Sequence, residues 1–248
     1  MIEIDKNFLL INKPADWTSF DVVSYIRKSA PGGSAKRPKV GHAGTLDPFA
    51  TGLLIVAVGR EATKRIDEFK NLSKTYIATI RLGATSDTDD KTGVITFVIP
   101  SGAEGVAEES LKVDAKGFLH SPPHRRVGRN DNPPSRHDID RAVATFIGTQ
   151  LQTPPMYSAK KVAGVRLYKL ARQGKTVERA PSQIEIYNIE VIRYAWPLLE
   201  LKIHCSPGTY IRTIAHDLGE KLGVGAYCEE LVRTAIGPYT LENAQNIA

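Results

Sequence analysis

VGHAGTLDPFATGLLIVAV, Val40 to Val58, carries a glycine-rich polar loop with one histidine and one carboxylate straight into an apolar strand. Such a junction presents an acid on a rigid edge. Gly41 and Gly44 permit positive φ or close backbone approach, and Asp47, preceding Pro48, is biased away from the helical region and so fixed in direction. His42 and Asp47 are therefore candidate site residues. The same residues also fit an ordinary turn in which Asp47 caps backbone N–H groups and His42 faces solvent.

Outward from that stretch, the chain of 248 residues is 42% hydrophobic, ample for a continuous core in one large domain or two small ones. Lys plus Arg number 33 against 27 Asp plus Glu, a net charge of +6, and a modest positive balance suits a polyanionic partner. The basic residues are bunched: Arg27, Lys28, Lys36, Arg37 and Lys39 flank the loop, and Lys160, Lys161, Arg166, Lys169 and Arg172 follow Pro154-Pro155. Such clusters, if they meet around one acidic site, make a phosphate-binding funnel. Cys205 and Cys228 lie in apolar or alternating stretches and read as reduced, packed side chains, and no metal-binding cluster suggests itself. No signal peptide, transit segment or apolar run near the length of a membrane span is present, so the expected location is the cytoplasm.

Patterning predicts an α+β fold with a mixed, mainly antiparallel sheet flanked by helices. Strands are expected at Phe8 to Ile11, Gly52 to Val58, Thr75 to Leu82, Val94 to Ile99 as a hairpin partner, Gln183 to Ala195, Leu198 to Cys205 and in RTAIGPYTL, residues 233–241. Tyr76, Ala78, Ile80 and Leu82 share one face, as do Leu199, Leu201, Ile203 and Cys205. Helices are expected from Ser19 to Ser29 with Thr18 or Ser19 as cap, over Glu61 to Phe69, Ile139 to Ile147 and Tyr168 to Gln173, and along the stripe Ile211, Ile214, Ala215, Leu218, Leu222, stopped by Gly223. Ser101 to Ser135 breaks the pattern, being rich in Gly, Pro, Glu, His and Arg, and reads as a long loop or mobile insert. Arg125, Arg126 and Arg129 within it are expected to touch a phosphate backbone.

Arg212 falls in the first turn of its helix, where the macrodipole disfavours a cation. An arginine set against a local rule commonly has an anionic partner in space, at a functional site or on the surface. Tyr76 on an apolar face reads as a core tyrosine, Asp90 as a turn aspartate and Leu231 as core.

Five colinear blocks resemble the TruB-type tRNA pseudouridine-55 synthases: INKPADWTS from Ile11, the loop above, TYIATIRLGATSDTDDKTG from Thr75, TPPMYSAKKVAGVRLYKLARQG from Thr153 and CSPGTYIRTIAHDLGEKLGVGA from Cys205. Together they span nearly the whole chain apart from the insert. The resemblance implies a pseudouridine synthase catalytic domain over residues 1–248, with Asp47 as the catalytic carboxylate, acting as nucleophile at the sugar or base at C2′. It implies that Arg212 pairs with that aspartate, that Asp90 ties the arginine into a network, and that Tyr76 packs on the target base and handles its C5 proton. Tyr210 and Leu231 match positions lining the uridine pocket, and His42 would stack where the flipped base had been. The reaction, uridine to pseudouridine, needs no redox cofactor, nucleotide or metal, and none is expected. The expected partner is the T-arm of tRNA, with no membrane and no obligatory protein partner. Many family members continue into a C-terminal RNA-binding module that is not evident in this sequence, whether naturally absent or removed, and the expectation is stand-alone tRNA modification. A guide-RNA-dependent catalytic subunit and an RNA-binding, tRNA-folding protein are the alternatives.

Overall fold

The computed structural model describes residues 7–29, 37–98, 112–113, 119–120, 133–162 and 164–247. The order along the chain begins β1 (Phe8–Lys13), α1 (Ser19–Ser29), β2 (Val40–His42), β3 (Thr51–Val58), α2 (Arg60–Lys64) and α3 (Ile66–Lys70). It continues with β4 (Lys74–Leu82), β5 (Ala84–Ser86), β6 (Ile95–Phe97), β7 (Lys112–Val113), β8 (Leu119–His120), α4 (Arg136–Ala144) and β9 (Gly148–Gln152). Then come β10 (Lys161–Val162), β11 (Val165–Arg166), α5 (Leu167–Ala171), β12 (Ser182–Ala195) and β13 (Leu198–Cys205). The last elements are α6 (Ile211–Leu222), β14 (Ala226–Ile236), β15 (Tyr239–Thr240) and β16 (Gln245–Asn246). This is an α+β chain, as its patterning predicts.

Two compact units form: residues 1–77, 204–207 and 231–248 make the first, and residues 78–203 and 208–230 the second. In the first, the strand order is β16-β1-β3-β14-β4-β13, the last three represented by residues 231–236, 74–77 and 204–205. β3 pairs antiparallel with β1 and β2 and in parallel with β14. Its unbroken apolar sequence has a physical cause, since both of its faces are covered. Leu53, Ile55 and Ala57 pack with Phe8, Ala62, Phe69 and Ile236, while Leu54 and Val56 pack with Ile11, Val22, Val23 and Val40. Gly52, with φ of 106°, sits where a Cβ would meet the Arg233 carbonyl oxygen at 2.4 Å, so only glycine admits this parallel pairing.

The second unit carries the order β14-β4-β13-β12-β9, the first three through residues 226–230, 78–82 and 198–203. The alternations read from sequence hold: Ala78, Ile80 and Leu82 are buried, as are Leu199, Leu201 and Ile203. α6 runs from Ile211 to Leu222 and ends at a left-handed Gly223.

Several expectations are corrected. The helix expected over Glu61 to Phe69 is two, α2 and α3, broken at Arg65 (φ −92°, ψ 2°). There the Arg65 guanidinium lies 5.3 Å over the Phe8 ring, a tertiary contact outside the local pattern, and it pairs locally with Glu68 three residues on. The strand expected over Val94 to Ile99 is Ile95–Phe97 and pairs with β5 rather than with the longer β4, because the chain turns at Gly83 (φ 83°). The helix expected from Ile139 starts at Arg136 and ends at Ala144, since Ser135 and Asp138 form a reciprocal capping box. RTAIGPYTL is a hairpin, β14 turning at Gly237 into β15.

Of the insert expected at 101–135, residues 101–111, 114–118 and 121–132 lie outside the described residues, Arg125, Arg126 and Arg129 among them. Its described backbone adds β7 and β8 to β6 in antiparallel register.

Candidate active site

The loop that carries Asp47 is held by a complete set of backbone partners. The Gly44 and Thr45 carbonyls accept from the two terminal nitrogens of Arg233 at 3.2 and 3.4 Å, and Arg233 Nε donates to Leu53 at 2.7 Å. Leu46 exchanges two bonds with Ser19, its carbonyl accepting from Oγ at 3.0 Å and its N–H donating to Oγ at 2.9 Å. The Asp47 carbonyl accepts from Ala50 N–H, and that of Pro48 from Lys13 Nζ at 3.1 Å and from Asp16 N–H. Thus every carbonyl from residue 44 to residue 48 has a donor, and the strand that follows is buried on both faces. Gly44 takes φ of 94°, as the sequence allowed, whereas Gly41 admits the Ile66 side chain.

Ser19 is free for this task because Thr18 caps α1: its Oγ1 accepts from Asp21 N–H at 3.1 Å, and the Asp21 carboxylate accepts from Thr18 N–H in return. The choice between two possible caps, open in the sequence, is settled by a tertiary contact that occupies the second.

Two cations brace the loop, Lys13 at 0% and Arg233 at 1% exposure. Lys13 Nζ also donates to the carbonyls of Pro14 and Trp17, both at 2.7 Å. Burial lowers its pKa to about 8, against the attraction of Asp16 and Asp47. Sequence reading missed both residues as functional. The signal available for Arg233 was its phase, since it shares the buried face of β14 with Leu231. Lys13→Met is expected to cost about 1–3 kcal/mol, because the Pro14, Trp17 and Pro48 carbonyls each lose one donor, Pro48 keeping Asp16 N–H, while a desolvated ammonium is removed. The lysine proton is bound less tightly in the folded than in the unfolded state, so wild type has a gain in stability from Lys13, absent in the variant, as pH rises above about 8. The urea-unfolding gap between the two proteins should therefore widen between about pH 8 and pH 10. A gap that stays constant across that window contradicts this account.

Tyr76 is buried on β4. Burial raises the phenol's pKa, and the Arg233 guanidinium opposes that rise. The same arginine that holds the Asp47 loop thus acts electrostatically on the Tyr76 hydroxyl. His42 ends β2, and burial lowers its pKa, so the ring is held neutral. Leu231, on β14, is buried in the same unit.

The second unit holds the remaining candidates. Arg212, 2% exposed in the first turn of α6, donates through its two terminal nitrogens to Thr88 O at 2.9 Å and Tyr157 O at 2.7 Å. It faces Asp90 Oδ2 at 3.4 Å, the anionic partner that its position against the helix dipole predicted. Asp90, 5% exposed, accepts at Oδ1 from Thr88 Oγ1 and from Thr92 N–H and Oγ1. Tyr210 precedes α6, and buried Gln152 grips its backbone twice, accepting from the N–H at 2.8 Å and donating to the carbonyl at 3.0 Å. Nothing in the local sequence marks Gln152 for that role.

Cys205 and Cys228 are buried thiols not joined in a disulfide, and among the described residues no group of His, Cys, Asp or Glu is placed to hold a metal. Among the same residues no helix is long and apolar enough to cross a membrane.

The family model described as "TruB family pseudouridylate synthase (N terminal domain)" matches residues 33–119 and 123–211, and that described as "tRNA pseudouridylate synthase B C-terminal domain" matches residues 212–247. The chain belongs to the TruB family of pseudouridylate synthases. Among curated TruB-family relatives, a tRNA pseudouridine synthase B of Dehalococcoides mccartyi is 42% identical over 97% of this chain and 68% of its own length. One of Chlorobaculum tepidum is 43% identical over 97% of this chain and 88% of its own. Among solved structures, a chain in "Crystal Structure of a Cbf5-Nop10-Gar1 Complex" superposes with a TM-score of 0.64 at 25% identity, over 97% of this TruB-family chain and 52% of that one.

Proposed function

We propose that this chain isomerises uridine 55 of the tRNA T-loop to pseudouridine, with residues 1–248 serving as one catalytic domain of a cytoplasmic enzyme. Formation of pseudouridine in tRNA rests on its relatives: curated proteins about two-fifths identical over nearly all of the chain are tRNA pseudouridine synthases B. The observation that carries the chemistry is the Asp47 loop, whose carbonyls from 44 to 48 are all bonded, so that the one carboxylate of the signature projects from a fixed backbone.

In this reading the N1–C1′ bond of the target uridine breaks, the base rotates and C5 joins C1′. Asp47 is the group that acts at the ribose, and Arg212 supplies a cation to the same reaction, the roles implied by the family resemblance. A preorganised carboxylate loses no ordering entropy at the moment of reaction. Tyr76 lies under the base. Burial raises its pKa, and the Arg233 guanidinium opposes that rise, which is the direction a phenol that handles the C5 proton needs. The target base must leave its stack at a cost of a few kcal/mol. His42, neutral through burial, inserts into the vacated stack without bringing a charge into it. Tyr210 and Leu231 are the positions that the family resemblance assigns to contact with the target uridine.

The purified chain is the test. Incubated alone with tRNA, it should yield pseudouridine at position 55 of the T-loop, a result that a guide-dependent subunit cannot give. An isolated T-arm hairpin should serve within about tenfold of full tRNA, with affinity falling steeply as salt rises, because phosphate contacts supply most of the binding. Modification of full tRNA a hundredfold better than the hairpin at matched salt would place essential contacts outside the T-arm. The alternative of a tRNA-folding protein without chemistry predicts no product in either case.

A further inference from the structure

Helix α6 holds the Asp89-Asp90 turn at two points. Arg212 reaches Thr88 O and Asp90, and one helical turn later His216 Nδ1 meets Asp89 Oδ1 at 3.2 Å. Residues four apart lie on one helix face, so the two contacts act together. The turn needs holding, since Asp89 takes φ of 60°, a left-handed backbone that a residue with a Cβ keeps only where its surroundings fix it. Asp89 N–H donates to Ser86 O, its carbonyl accepts from Cys228 N–H, and its carboxylate is left for the helix.

We propose that His216 is a positioning residue: paired with Asp89, it locks the turn that presents Asp90 to Arg212 and thereby fixes the direction of that guanidinium. The inference rests on the role given to Arg212 above. His216 is 43% exposed on its side chain, and its proton exchanges with solvent while it pairs with a neighbour of the buried network. The charged groups facing it are Asp89 from the turn and Asp217 and Glu220 from its own helix; on α4, which packs against α6, Arg136 and Asp140 pair with each other. The Asp89 hydrogen bond raises the imidazole pKa, with Asp217 and Glu220 adding to it, so the clamp is an ion pair at low pH. As pH rises through that raised value, it relaxes to a neutral hydrogen bond.

Single-turnover rates on saturating tRNA decide the matter, measured from about pH 6 to pH 8.5 for wild type, His216→Gln, Asp89→Asn and the double variant. Asparagine tolerates the left-handed backbone, so Asp89→Asn removes the charge and keeps the turn. Near pH 6 each single variant should be about three- to fivefold slower with RNA affinity within about twofold, and the double variant no slower than the slower single. Wild type should slow as pH rises through the His216 titration, and the step should be missing in both single variants. Superimposable pH profiles, or losses that multiply in the double variant, overturn the clamp, and the exposed His216→Gln alone decides if Asp89→Asn does not fold. Asp47→Asn in the same series separates the two readings. Product from Asp47→Asn overturns the catalytic assignment, whereas an inactive Asp47→Asn beside a fully active, normally titrating His216→Gln overturns the clamp alone.

Discussion

Asp47→Asn is expected to lower pseudouridine formation by at least about three orders of magnitude while tRNA affinity stays within about tenfold of wild type. The amide keeps the shape of the side chain and leaves the loop's backbone bonds in place, because those bonds involve the carbonyls of residues 44–48 and not the carboxylate. The group able to attack the sugar or accept its proton is lost. Quantifying pseudouridine in tRNA by mass spectrometry, with filter binding in parallel, checks both halves, and turnover at a few per cent of wild type would remove Asp47 from the chemistry.

Arg212→Lys should be nearly as damaging, with turnover reduced by about two to three orders of magnitude at saturating RNA. The reason is directional. One guanidinium nitrogen serves Thr88 O and Asp90, and the other serves Tyr157 O, three partners on two separate segments. A lysine ammonium is a point charge on a flexible stem and cannot reproduce that planar fork. Retained charge with lost activity distinguishes a geometric requirement from an electrostatic one. A lysine variant within tenfold of wild type would show that charge alone suffices. Arg212→Gln, which lacks the charge, should be at least as impaired and less stable, because it leaves the buried Asp90 without its cation.

What could be read from the chain beforehand was what depends on local periodicity and punctuation. The alternation through Tyr76, Ala78, Ile80 and Leu82 and through Leu199 to Cys205 specifies two strands and their buried faces, and all seven of the apolar positions other than Tyr76 are buried in the structure. The apolar run of β3 and the stripe closed by Gly223 are equally local. Asp47 and Arg212 stood out as candidates because a carboxylate stood against glycine and proline and a cation against a helix dipole, whereas Asp90 read as a turn aspartate and took its role only from the family resemblance. Lys13, Arg233 and Gln152 were not. Their partners are backbone atoms distant in sequence, Pro48 for Lys13, Gly44 and Thr45 for Arg233, and Tyr210 for Gln152. A carbonyl oxygen is present at every position and leaves no mark in the residue code. The break at Arg65 and the pairing of β6 with β5 failed to show for the same reason, being tied to a tertiary contact and a turn.

The double-sided burial of β3 bears on when the site acquires its order. Local opening in proteins starts where apolar contact is sparse, and segments enclosed by core resist it until the whole unit unfolds. The Asp47 loop runs directly into such a strand and is tied to it through Arg233, which bonds Leu53 on the strand and Gly44 and Thr45 on the loop. On the role proposed for Asp47, the ordering entropy of its loop is met once, during folding, and does not recur with each turnover. At this loop, what the encounter with RNA still has to arrange is the nucleic acid, in the unstacking of one uridine.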